Sequence, residues 1–191
     1  MLAYAPMGIH HPGIRATVAY AVARRIIAAI IPIAREVLDA PSLDLSDAFY
    51  SLVTTCPDKL SPIQRLPHFD GVAPTRRALL HYLSPGAPGS TAFYRHRSSG
   101  FEAVTADRLP AYRAMLESEI AHTGEPSAAC IDGDTALFEL VSRIQGHFNR
   151  AILYRGNSLH CAWLPEGTSF DAHPAHGCLT ANLFLEAVAA A

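Results

Sequence analysis

In the segment "QRLPHFDG", residues 64–71, two side chains have the types and spacing of a metal grip. Side chains alternate along an extended chain, so Gln64, Leu66, His68 and Asp70 project one way while Arg65, Pro67 and Phe69 project the other. An imidazole and a carboxylate on one face can hold one metal ion; the plainer alternative is a hydrogen-bonded pair. One more histidine would complete the two-histidine, one-carboxylate set that leaves coordination positions open. The candidates are His81, His96, His147, His160, His173 and His176. In "YRGNSLHCAWLP", Gly156-Asn157 turns the chain, and Ser158, His160 and Ala162 share a face opposite Leu159, Cys161 and Trp163. A histidine within a buried strand needs a polar partner. His160 is therefore either a satisfied core histidine or the third ligand. Cys161 cannot be a nucleophile with His160 as its base, because neighbours on a strand face opposite ways, and it reads as a small core residue.

These residues must be held by a chain of 191 residues, half of them hydrophobic and 17% charged, with a formal net charge of −2. That length fits one domain with a real core, 1–191, and the composition excludes a disordered chain. With no basic, aromatic-interleaved strip, nucleic acid is not an expected partner. A small molecule or an amino-acid or peptidyl group is. Cys56, Cys130, Cys161 and Cys178 lack zinc or disulfide-framework spacing, which favours a reduced, cytoplasmic protein. The most apolar stretch, "IRATVAYAVARRIIAAIIPIA", carries Arg24 and Arg25 at its middle and lacks the features of a secretory signal, so neither membrane span nor export is expected.

From Ile14 to about Asp39, Val18, Ala21, Val22, Ile26, Ala29, Ile30, Ile33 and Val37 recur at helical spacing. The spacing predicts an amphipathic helix, kinked near Pro32, within a helical N-terminal segment 1–45. Its apolar face should pack on a sheet, with a homodimer contact as the alternative. A mixed, proline-punctuated connection follows. From there "IQRLPHFD", "RALLHYLS", "STAFYRHR", "RAILYRG", "NSLHCAWL" and "CLTANLFL" read as short strands between turns. Two helices, in "ADRLPAYRAMLESEIAH" and "GDTALFELVSRIQGHF", should form an insertion at about 105–148. The fold class expected for 46–191 is mainly β: a double-stranded β-helix, that is, a jelly roll or cupin-like barrel, with the N-terminal helix and two inserted helices.

The segments "LPHFDG", "LLHYLS", "GSTAFYR", "NRAILYRGNSLH" and "LTANLFL", in that order, resemble the prolyl-4-hydroxylase-type branch of the 2-oxoglutarate and iron(II) dioxygenases. More closely, the chain resembles a bacterial family without an assigned function that shares "LHYL", "GFE" and "LTAN"; the resemblance runs from about residue 50 to 186. It implies that His68, Asp70 and His160 hold iron(II), that 2-oxoglutarate is the cosubstrate, and that the outcome is hydroxylation. Two readings without 2-oxoglutarate turnover stand beside it: a noncatalytic or redirected metal-binding barrel, and a cupin-type metalloenzyme.

The same resemblance places His81 where a tyrosine bonds the far carboxylate of 2-oxoglutarate; an ordinary structural histidine is the alternative. Arg95 and Arg97 could take an anionic substrate or form a solvated strand end. The usual anchor of the far carboxylate is an arginine or lysine on a strand after the second histidine. After Arg155 this chain has neither. Cys178 stands where the bacterial family has arginine, with His176 and Thr180 on its face. Three outcomes follow: the cosubstrate binds weakly and in a pH-dependent way through His176 and His81, an arginine from elsewhere such as Arg77 or Arg150 holds it, or the protein uses another cosubstrate or none; the first or the third is expected. If it binds weakly, Cys178→Arg should tighten it.

Overall fold

Antiparallel strands make up most of the computed structural model, which describes residues 2–38, 40–86 and 89–188. In chain order the elements are β1 (Ala5–Pro6), β2 (Gly13–Thr17), α1 (Tyr20–Leu38), β3 (Ser42–Val53), β4 (Arg76–Tyr82), β5 (Ser90–His96), α2 (Leu109–Thr123), β6 (Phe138–Gln145), β7 (Ala151–Arg155), β8 (His160–Trp163) and β9 (Cys178–Val188). A six-stranded sheet has the order β1-β2-β3-β9-β4-β7 and a three-stranded sheet the order β6-β5-β8. The protein is thus mainly β, with two helices and two antiparallel sheets, an arrangement compatible with a β-sandwich.

Each sheet has an outer face covered by a helix and an inner face turned to the other sheet. Val18, Leu43, Ala48, Leu79, Ala181, Leu183 and Leu185 form one core with Ala23, Ile27 and Ala34 of α1. Ala92, Tyr94, Phe138, Leu159 and Cys161 form another with Tyr112 of α2. Because side chains alternate, the residues between these buried positions face inward: Thr180, Asn182 and Phe184 on β9, and Arg76, Ala78, Leu80 and Tyr82 on β4. No helix among the described residues is long and apolar enough to cross a membrane.

Several expected elements differ. The N-terminal helix begins at Tyr20, not Ile14, because Gly13–Thr17 pairs with β3, from Gly13↔Val53 to Thr17↔Phe49. That pairing satisfies the backbone of a segment that carries the β-branched Ile14 and Thr17, and Gly13 permits the close approach, since a Cβ there would overlap the Leu52 carbonyl. The helix runs through Pro32, and Asp39 lies outside the described residues. Its buried face also differs: α1 buries Ala23, Ile27 and Ala34, whereas Val22, Ile33 and Val37 are exposed. Alanines at two of the contact positions let the helix approach the sheet closely.

The second inserted helix is a strand. Phe138–Gln145 forms β6 and pairs with β5, shifting register between Phe93 and Tyr94. Leu137, Leu140, Val141, Ile144 and Phe148 have helical spacing, yet Val141, Ile144 and Phe148 are exposed; pairing with an available strand edge overrode the local pattern. The connection at 42–53 is the longest strand, β3, whose register shift between Leu45 and Asp47 moves the apolar residues from odd to even positions and hides the period of two. Residues 62–65 form a 3-10 turn, so the extended part of "IQRLPHFD" is confined to the neighbourhood of His68.

Candidate metal centre

A cavity of about 400 Å³ lies between the two sheets and is closed on one side by residues 8–12 of the N-terminal segment. His68 enters it through an antiparallel bridge to His160, with backbone bonds of 2.8 Å in both directions, and the Asp70 amide donates to the Gly156 carbonyl at 2.7 Å. These bonds extend residues 68–70 alongside β8, so His68 and Asp70 share the face that the sequence assigns them. One donor atom from each of His68, Asp70 and His160 lies within 4.8 Å of the other two. The carboxylate and the His160 ring are nearly buried, 10% and 7% exposed, with Asp70 Oδ2 at 3.6 Å from His160 Nε2.

The donor set fits a transition metal. His160 Nδ1 lies 2.9 Å from the Ser158 carbonyl and donates to it, which leaves the lone pair of Nε2 directed at the cluster. Desolvation, reinforced by His160 nearby, holds His68 well below the ordinary histidine range, so its ring is neutral. Among the described residues no hydrogen bond reaches that ring; it lies against His160, with centroids 4.5 Å apart, and His10, at 5.4 Å. The neutral His68 ring, the Nε2 of His160 and a carboxylate make a donor set of the kind that suits a divalent transition-metal ion.

Tyr154, which the sequence reading did not single out, completes the surroundings. Its hydroxyl is 3.1 Å from His160 Nε2 and 3.5 Å from Asp70 Oδ2. Burial, then Asp70, raise its pKa well above the usual phenol range, so it is a protonated donor. The tyrosine sits on β7 in "RAILYRG", where Ile152 and Tyr154 alternate with Leu153; that alternation was the available signal. Phe93 packs edge-on against Tyr154, with centroids 5.4 Å apart, and helps to keep water from the cluster.

The other expected site residues are distributed differently. Thr180 lines the cavity. His81 does not: it is on the α1 side of β4, beside Leu79, and bonds Asn149 Oδ1 at 2.9 Å, while the inward neighbour is Tyr82, whose hydroxyl bonds Thr91 at 2.7 Å. His176 is exposed in the loop before β9, 3.6 Å from Asp171. Arg95 is paired with Glu102 and Glu139, and Arg97 with Asp134, all outside the cavity. Cross-strand and loop carboxylates thus take both arginines as surface ion pairs. Arg77 turns outward to the Pro74, Arg76 and Leu38 carbonyls, and Arg150 bonds the Gln145 carbonyl. Cys178 lines the cavity, and Cys161 packs beneath α2. His96 is fully buried and bonded to Glu119 and Ser99.

His11, beside the cavity, predicts a pH effect on stability. Burial lowers its pKa from 6.5 to about 4, with Arg15 adding to the shift, while Nε2 bonds the Leu52 carbonyl at 3.2 Å. Below pH 6.5 the unfolded chain takes up a proton that the folded chain refuses until about pH 4, so stability falls across that window as pH falls. A shift of this size corresponds to roughly 3 kcal/mol. Urea unfolding at pH 7 and pH 4.5 should show a smaller acid loss in His11→Gln than in the unmodified protein; equal losses would contradict the assignment.

A family of unknown function, DUF6445, matches residues 2–185, a span that includes β1, β2 and α1 as well as the strands carrying the cluster. No curated protein and no solved structure matches the chain. Covering the N-terminal strands and both sheets alike, the match establishes that the chain belongs to the DUF6445 family.

Proposed function

We propose that the chain is a non-haem iron(II) oxygenase that hydroxylates a small molecule or an amino-acid or peptidyl residue with O2 and 2-oxoglutarate. The observation that carries this reading is the convergence of His68, Asp70 and His160 on the inner wall of a cavity large enough for a small ligand. The strand order supports it. With residues 68–70 beside β8, the sheets read β3-β9-β4-β7 and 68–70-β8-β5-β6, an order in keeping with the interleaving expected of a double-stranded β-helix. The cytoplasm is the proposed compartment, in keeping with four cysteines that form no disulfide.

His68, Asp70 and His160 would hold the metal, and the remaining coordination positions would be left to ligands in the cavity. When bound, iron(II) supplies the oxygen chemistry: one oxygen atom goes to the substrate as a hydroxyl and the other to succinate as 2-oxoglutarate loses CO2. The chain's own residues supply the setting. Ser158 fixes the His160 tautomer, the Tyr154 hydroxyl places a donor beside the Asp70 and His160 atoms that would hold the metal, and Phe49, Phe93 and Phe184 keep the interior apolar.

Anaerobic addition of iron(II) and then 2-oxoglutarate tests the reading. The expected result is equimolar iron and a visible charge-transfer band on chelation. Iron binding without a band, and without succinate in air, would favour a metalloenzyme or binding protein that does not use 2-oxoglutarate. No iron binding would overturn the metal reading.

A further inference from the structure

We propose that Arg15, with Thr180 and Asn182 beside it and Ser51 behind them, forms a carboxylate seat on the wall of the cavity, so that the anion anchor comes from β2, before the first core strand, and not from β9. The inference rests on the metal reading for its ligand class: an acid whose one end reaches the cluster while a remote carboxylate sits on Arg15.

The four residues lie together on the inner face of the large sheet. Arg15 is opposite Ser51, and Ser51 opposite Thr180. Arg15 Nε donates to Ser51 Oγ at 3.2 Å, and its guanidinium lies over the rings of Phe49 and Phe184, 5.4 and 5.9 Å from their centroids. Among the described residues no carboxylate forms an ion pair with it, and no acceptor takes its two terminal nitrogens. Asn182 Nδ2 donates to Ser51 Oγ at 2.6 Å and to Thr180 Oγ1 at 3.1 Å. Each hydroxyl oxygen is therefore used as an acceptor, and neither hydroxyl proton has an acceptor among the described residues. Ser51 is 2% exposed, which makes an unspent donor there costly. Apart from the Asn182 carboxamide oxygen the cluster is a set of donors: the two terminal nitrogens of Arg15 and the hydroxyls of Ser51 and Thr180. A carboxylate supplies two oxygens and a negative charge in the geometry that a guanidinium fork accepts.

The neighbouring arginine cannot serve in the same way. Arg76 also lines the cavity, but Nη1 is 2.8 Å from Glu186 and 3.0 Å from Ser46. Arg15 is thus the arginine whose charge is uncommitted at the cavity wall, and it lies close enough to Asp70 for the two charges to interact.

The bound carboxylate could belong to the 2-oxo acid cosubstrate or to the substrate, and three probes separate these sources. 2-Oxoglutarate carries both a chelating end and a remote carboxylate, 2-oxopentanoate carries only the former, and glutarate cannot chelate as a 2-oxo acid. Calorimetric titration would use protein loaded with zinc or iron(II) under argon, and metal-free protein for glutarate. Arg15→Met retains the apolar contact with Phe49 and Phe184 and so keeps the fold, while Arg15→Lys restores charge without the fork. The expected result is a 10- to 100-fold weaker affinity for 2-oxoglutarate in Arg15→Met, partial recovery in Arg15→Lys, unchanged metal binding and unchanged 2-oxopentanoate. Glutarate binding to the metal-free protein that is lost in Arg15→Met would support the seat even if 2-oxoglutarate chelation fails, and would assign it to the substrate. Equal affinities for 2-oxoglutarate and glutarate in Arg15→Met and the unmodified protein would overturn the proposal, as would tightening by Cys178→Arg in a protein indifferent to Arg15.

Discussion

Asp70→Asn should abolish iron binding and leave the metal-free protein at least as stable as the unmodified one. The carboxylate is 10% exposed beside the Tyr154 hydroxyl and His160, with Arg15 acting on it only from a distance, so without metal no arginine or lysine is in direct contact with it among the described residues. Removing such a charge with an isosteric amide relieves a desolvation cost, whereas removing it from a metal site withdraws the anionic ligand. Metal affinity should drop by more than about 100-fold, above what loss of an outer partner of a ligand costs. Unfolding resolves the two effects: iron(II) or zinc at 100 times its Kd should stabilise the unmodified protein by about 2.7 kcal/mol and Asp70→Asn not at all. His68→Ala should behave likewise. Equimolar iron retained by either variant, measured by elemental analysis on a folded sample, would refute the assignment of ligands.

Leu183→Ala should cost 2–5 kcal/mol, roughly the range for a leucine truncated in a well-packed core. Leu183 has no solvent exposure, lies on β9 between β3 and β4, and packs with Leu79, Ala48 and Ile27 beneath α1. Its neighbours Asn182 and Phe184 face the cavity, so the ligand cluster stays intact and iron stoichiometry below the unfolding transition is unchanged. On α1 the contrast is Val37→Ala: Val37 is 67% exposed, and its loss should fall within about 0.5 kcal/mol. Urea midpoints of the two variants test which face of α1 covers the sheet, and equal midpoints would refute the packing described.

Residues 68–70 were legible because their chemistry is local. A His-x-Asp pair on extended backbone shares a face by the geometry of a strand, and β8 directs His160 inward by the same alternation. The strands β4, β5, β7 and β9 could be read for the same reason, each having one helix-covered and one cavity-facing side. β3 could not, since its register shift at Leu45/Asp47 breaks the period that announces a strand. The 138–145 segment carries both periods at once, and only the free edge of β5 decided for β6.

The sequence by itself determined which residue types could ligate a metal and which strands carry them, because alternation along a strand needs no knowledge of the rest of the chain. Tertiary structure alone decided what surrounds that grip. Arg15 reads locally as a charged position off a helical stripe and becomes a cavity residue only because Gly13–Thr17 pairs with Ser51 and its neighbours 36 residues on. His81 shares its strand with inward-facing side chains yet falls on the helix side, since α1 claims the odd-numbered positions of β4. Tyr154 gains its role from the approach of two distant histidines and Asp70. Long-range pairing sets which face of each strand is inside, and that choice, absent from any short window of sequence, selects the residues that line the site.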